Sequence, residues 1–208
     1  MAVTWVPYSG VGLVAGAAAL SAGALLTPVT SDADPMRVSD LADTRYLVVA
    51  GMYFLAACAL TLGLPSILTL FLRRNRLGLV AVGVFVIGCL GIAGYSMLLV
   101  FIRAMAVTGS AATNDLSAVA EEVGLLGFLY GWVAAFYLGE LLLAIALLRA
   151  TSTPRWIPAL LLVHVALAPA SPLLPPEVSG ATALLVTIGL AGVGVFAVTE
   201  DRRQPRPA

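Results

Sequence analysis

The sequence contains no lysine, one histidine and two cysteines among its 208 residues. It has no basic patch with interleaved aromatic residues, so we expect no nucleic-acid partner. A single histidine cannot ligate haem on both faces. Cys58 and Cys89 lack the spacing of a metal site and are expected to pack as small hydrophobic residues. We therefore expect neither a metal nor a cofactor.

The signature motifs of common enzyme classes are also missing. The chain has no GxSxG, no HExxH, no glycine loop ending in GKS or GKT, and no paired aspartate-rich motif on a predicted helix that would bind a diphosphate through magnesium. A Ser-His-Asp set would have to use His164, and no serine is placed for it. The sequence thus leaves open whether the protein is an enzyme.

Long apolar runs are what the chain does have. Hydrophobic residues make up 61% of it and its mean hydropathy is +1.02. Several runs exceed the roughly 18 residues that mark a spanning helix, so we predict an all-α, polytopic transmembrane helix bundle in a lipid bilayer. The predicted spans lie at about 9–28, 46–72, 77–108, 123–148, 157–174 and 180–198, within a single domain over residues 1–198; a short polar tail follows at 199–208.

The arginines predict the orientation. Eight of the eleven lie in the turns 73–76 and 149–155 and in the C-terminal tail. Because basic short loops stay in the cytoplasm, we predict that both termini are cytoplasmic. The first apolar run has no basic residue before it and is therefore expected to be a retained helix rather than a signal peptide. Arginine as the sole strong base fits a GC-rich bacterial gene, which favours a bacterial inner membrane.

Two ionisable side chains are predicted to lie deep in the membrane. Glu140 precedes Arg149 by nine residues, and His164 follows Arg155 by nine. At about 1.5 Å of rise per residue, each lies roughly 13 Å from the charged turn between the two helices. In an antiparallel hairpin their depths are equal, which permits a pair but does not require one.

Each of these residues has two interpretations. A carboxylate in the bilayer costs several kcal/mol, so Glu140 is either a functional acid or anchor, or a protonated packing residue. His164 is either a neutral core residue or the partner of Glu140 in a proton relay. Tyr137, three residues before Glu140, is a neighbouring hydrogen-bond donor. Ser66 is expected at similar depth, where it helps to satisfy backbone groups freed by Pro65.

The junction between the fourth and fifth predicted spans carries a short motif. Residues 147–150 read LLRA, and residues 153–161 read TPRWIPALL. This junction resembles that of a broad group of uncharacterised bacterial, actinobacterial-type, six-helix integral membrane proteins. The resemblance implies six helices in a cell membrane and assigns no role to any residue.

We expect the protein to bind or transport a small lipophilic or protonatable ligand at a polar site in the cytoplasmic half of the bundle. Glu140, His164, Tyr137 and Ser66 are the candidate site residues. No sequence feature identifies the ligand.

Two alternatives remain open. Glycines in GxxxG spacing, Gly12 with Gly16 and Gly127 with Gly131, are typical of close helix packing. They favour a structural or accessory subunit that packs against a second copy or another membrane protein. A membrane-embedded enzyme acting on a lipid or isoprenoid, with Glu140 as general acid, would instead need a closed cavity around that residue.

Overall fold

A computed structural model of the chain describes residues 5–28, 42–71, 76–109, 122–150, 153–173 and 176–203. Every element of regular secondary structure in these ranges is helical, which confirms the predicted all-α fold. The elements are α1 (Val6–Leu26), α2 (Thr44–Gly63), α3 (Pro65–Leu68), α4 (Arg76–Thr108), α5 (Val123–Arg149), α6 (Trp156–Leu167), a 3-10 helix (Ala168–Leu173) and α7 (Pro176–Arg203).

Among the described residues, five stretches of helix are long and apolar enough to cross a membrane. They are Val6–Leu26, Thr44–Leu68, Arg76–Thr108, Val123–Arg149 and Ala181–Arg203. The remaining apolar helix is shorter and covers Trp156–Ala170. The chain is therefore a multi-pass helical bundle of about six helices.

Prolines interrupt two helices where the sequence predicts it. Helix α2 ends at Gly63 and α3 begins at Pro65, because proline has no N–H to donate to the preceding turn. Helix α6 ends at Leu167, two residues before Pro169, and continues as the 3-10 helix. At about 1.5 Å of rise per α-helical and 2.0 Å per 3-10 residue, the two segments together rise about 30 Å, the thickness of the hydrocarbon layer.

Helix α7 is longer than expected at both ends. It begins at Pro176 and continues to Arg203, so residues 199–203, expected in the polar tail, are helical. Arginines in the last turn interact favourably with the helix dipole, and Arg203 lies 3.0 Å from the carboxylate of Glu200 one turn earlier. Residues 204–208 of the expected tail lie outside the described part of the chain.

The helices close a ring in chain order. Helix α1 packs against both α2 and α7, and contacts then follow from α2 to α4, α4 to α5, α5 to α6, and α6 to α7. The short α3 touches α1, α2, α4 and α7 and is buried at Ser66 and Ile67. The buried hydrophobic residues of these helices form one connected core.

The two glycine pairs occupy different surroundings. A Cβ added at Gly16 would lie 2.6 Å from the backbone nitrogen of Leu60, so the first stripe lets α1 approach the backbone of α2. A Cβ added at Gly127 or Gly131 would meet no described atom within 4 Å. The second pair therefore faces outward from the described bundle.

Candidate functional site

Glu140 and His164 form a buried pair between α5 and α6. The Nδ1 atom of His164 lies 2.8 Å from Oε2 and 2.9 Å from Oε1 of Glu140. Glu140 has no exposed surface, and His164 is 7% exposed. The two residues of equal predicted depth are thus in direct contact, since the rotation of both helices turns them toward each other.

The pair is neutral overall in either of two proton arrangements. With Nε2 protonated, a second proton on Nδ1 gives an imidazolium beside a carboxylate, and transfer of that Nδ1 proton to the carboxyl oxygen gives two neutral groups. Both arrangements avoid an isolated charge in the apolar interior, where such a charge costs several kcal/mol. Gain or loss of one further proton leaves the pair charged. The site can therefore hold a proton on either partner.

Tyr137 lies one turn before Glu140 and packs on the imidazole. The ring centroids of Tyr137 and His164 are 5.6 Å apart, with 36° between the ring planes. Within the described chain Tyr137 has no hydrogen bond to either member of the pair, so its contact with the pair is ring packing.

A cavity of about 470 Å³ lies between α2, α4 and α5. Its lining comprises Tyr53 of α2; Gly88, Gly91, Ile92 and Tyr95 of α4; and Leu126, Leu129, Tyr130, Trp132, Val133, Phe136 and Tyr137 of α5. All of its α5 residues precede Glu140. Neither Glu140 nor His164 belongs to the lining, so this cavity is not the closed chamber around Glu140 that the enzyme hypothesis requires. Tyr137 lines the cavity and also contacts His164.

The cavity concentrates the tyrosines of the chain. Four of the six, Tyr53, Tyr95, Tyr130 and Tyr137, are among its lining residues. Tyr53 and Tyr95 meet edge to face with ring centroids 5.9 Å apart. Tyrosine combines an apolar ring with a polar hydroxyl, so this surface suits a ligand that has both characters.

Ser66 lies apart from the pair. Its hydroxyl donates to the carbonyl oxygen of Gly63 at 2.8 Å, and its backbone N–H donates to the Ser9 hydroxyl at 3.1 Å. These bonds satisfy backbone groups at the break before Pro65, as the sequence suggests. No hydrogen bond joins Ser66 to Glu140 in the described chain.

Ser9 of α1 completes the repair of this break. Besides accepting the N–H of Ser66, its hydroxyl approaches the carbonyl oxygens of Leu62 at 2.9 Å and Gly63 at 2.7 Å. It thus replaces the helical hydrogen bonds that end at Pro65. Sequence analysis missed Ser9. The proline indicates that some partner is needed, but the packing of α1 on α2 decides which residue supplies it.

No protein family matches this chain, and no curated protein or solved structure is similar to it. Its function is therefore inferred from the geometry of the site.

Proposed function

We propose that this is a bacterial inner-membrane protein, with both termini in the cytoplasm, that binds or transports a small lipophilic or protonatable ligand within its helix bundle. The arginine distribution supports the orientation, and the absence of lysine supports the bacterial source. The ligand occupies the cavity between α2, α4 and α5. The α5 residues of its lining run from Leu126 to Tyr137, mostly in the half of α5 away from the Arg149 turn, so the proposed ligand site differs from the cytoplasmic-half site expected from the sequence.

The observation that carries the proposal is the double contact of Tyr137. This residue lines a cavity whose volume falls in the range of about 300–1,000 Å³ typical of small-molecule sites. Its ring also packs on His164, which is bonded to Glu140. A ligand that displaces the Tyr137 ring changes the surroundings of the buried pair. Binding is thereby linked to the proton state of Glu140 and His164.

Photolabelling in lipid nanodiscs tests the site. The probe is a long-chain alcohol bearing a diazirine, and labelled positions are located by mass spectrometry. We expect labelling of α5 between Leu126 and Tyr137. The substitution Leu126→Trp fills the cavity and should remove most of this labelling. Leu138→Trp is the matched control, because Leu138 is 50% exposed on the same helix and does not line the cavity.

Equal labelling of the two tryptophan variants would contradict the proposal, since it would show that the probe reaches α5 from bulk lipid. Absence of label from α5 in the unmodified protein would contradict it as well. Circular dichroism of each variant verifies that the helices are retained.

The outward glycine pair favours a second candidate function, that of an accessory subunit. Gly127 and Gly131 leave a shallow surface on α5 that another helix can approach closely. Under this hypothesis Gly131→Leu dissociates a complex that survives in mild detergent. Gly83→Leu is the control, because Gly83 also has no described neighbour within 4 Å but lies on α4. If the protein is monomeric in mild detergent and neither substitution changes its oligomeric state, this candidate loses its support.

A further inference from the structure

The phenol groups at the cavity form a cluster with unused hydrogen-bonding capacity. Tyr53, Tyr95 and Tyr137 come from three helices and line the same cavity, and the rings of Tyr53 and Tyr95 have centroids 5.9 Å apart. The Tyr53 hydroxyl lies 3.2 Å from that of Thr27. Within the described residues, the hydroxyls of Tyr95 and Tyr137 make no hydrogen bond. Both hydroxyls are therefore free to donate, and a ligand that supplies acceptors gains those hydrogen bonds.

The remaining walls favour a flat and uncharged ligand. Ile92, Leu129, Trp132 and Phe136 supply apolar and aromatic surface, on which planar rings pack well. None of the described residues in the lining is charged. The carboxylate of Glu140, three residues after Tyr137 on α5, is outside the lining and already bonded to His164. A cationic ligand would therefore lack a free counter-charge.

The rim indicates where the ligand comes from. Tyr130 is 68% exposed and Val133 is 49% exposed, and both lie on a helix apolar enough to span the membrane. The cavity therefore opens sideways, toward the hydrocarbon layer. A ligand that enters by this opening must first dissolve in lipid.

We propose that the cavity selects a planar, uncharged lipophile with carbonyl oxygens, of the class that has a quinone-type headgroup on an alkyl chain. The carbonyl oxygens accept hydrogen bonds from the hydroxyls of Tyr95 and Tyr137, and the ring packs on Trp132 and Phe136. This inference rests on the proposed function and concerns binding alone.

Competition against the diazirine alcohol in nanodiscs tests the class of ligand. The competitors are decylubiquinone, decylbenzene, which has the same chain length but no oxygen, and tetraphenylphosphonium, a lipophilic cation. We expect decylubiquinone to displace the label from α5 at a mole fraction roughly 30-fold below that of decylbenzene, the ratio that two neutral hydrogen bonds give. The double substitution Tyr95→Phe with Tyr137→Phe should abolish this difference. Tyr8→Phe is the control, since Tyr8 is 74% exposed and does not line the cavity.

Each other outcome identifies which proposal fails. Equal displacement by decylubiquinone and decylbenzene overturns the carbonyl class but keeps a lipophile site. Displacement led by tetraphenylphosphonium also overturns it, in favour of a cation. A quinone preference that survives the double substitution overturns the role of the two hydroxyls. Absence of specific label from α5 contradicts the proposed function itself, and the inference fails with it.

Discussion

Two of the buried polar clusters in the described part of the bundle differ in what their atoms are bonded to. At the break of α2, the hydroxyls of Ser9 and Ser66 bond to backbone groups and carry no charge. Between α5 and α6, Glu140 and His164 bond side chain to side chain and can exchange a proton. The first cluster replaces missing helical hydrogen bonds. Only the second has alternative chemical states, so we expect function to depend on it.

The two clusters also differ in how tightly their surroundings are packed. The serine cluster lies where α1 and α2 approach closely, with Gly16 against the backbone of Leu60. The ionisable pair contacts Tyr137, which borders a cavity. Tight packing resists rearrangement, whereas a side chain beside a cavity has room to move. The comparison predicts that the two clusters respond differently to substitution, to pH and to ligand.

The largest effect is expected from breaking the ionisable pair on one side only. His164→Leu leaves Glu140 without its partner and should lower the free energy of unfolding by about 3–5 kcal/mol. The double substitution Glu140→Leu with His164→Leu leaves no ionisable group and should recover most of this loss. Unfolding in mixed micelles, followed by circular dichroism, measures both. If the double variant loses as much stability as His164→Leu and Glu140→Leu alone lose in sum, the pair is not coupled and the account is contradicted.

A smaller effect is expected at the serine cluster. Ser9→Ala removes the partner of several backbone groups and should cost about 1–3 kcal/mol. This cost should not vary with pH, and it should shrink in a Pro65→Ala background, where the helix can restore its own hydrogen bonds. Thr199→Ala is the control, because that hydroxyl is exposed and bonds within its own helix. An equal cost in both backgrounds would argue against the repair role.

A still smaller effect on stability is expected from removal of the Tyr137 hydroxyl. Tyr137→Phe keeps the ring on His164 and should change the free energy of unfolding by no more than about 0.5 kcal/mol. The same substitution should weaken displacement of the photolabel by decylubiquinone. An effect on displacement without an effect on stability would identify the Tyr137 hydroxyl as a ligand contact rather than a packing contact. A loss of stability comparable to that of His164→Leu would assign the hydroxyl to the pair instead.

The smallest effect concerns an exposed carboxylate that serves as a reference for the pair. Backbone N–H groups of Gly124 and Leu125 hold the pKa of Glu122, at the start of α5, below its usual value. A lowered folded-state pKa means that this stabilisation is complete above the unfolded pKa of about 4.3 and is lost as the pH falls through the folded value. Glu122→Gln should remove that acid-side dependence. The free energy of unfolding is measured at several pH values. If it falls toward acid pH as steeply in Glu122→Gln as in the unmodified protein, the role of these hydrogen bonds is contradicted.

The sequence predicts helices and depths better than it predicts neighbours. Equal spacing from the charged turn predicts the level at which Glu140 and His164 lie, because the rise per residue is fixed. Their contact depends on helix rotation, which the spacing leaves undetermined. The repair of the break at Pro65 by Ser9 depends on which helices are adjacent. The cavity at Tyr137 arises where three helices fail to fill the space between them, and no local pattern encodes such a gap.

The most direct test of the account is infrared difference spectroscopy of the Glu140 carboxyl in lipid, as a function of pH. Glu140→Gln assigns the band. We predict that the band changes with pH, that His164→Ala alters the pH at which it does so, and that Ser66→Ala leaves it unaltered. A Glu140 carboxyl signal that is constant with pH and indifferent to His164→Ala would contradict the account and make Glu140 a packing residue.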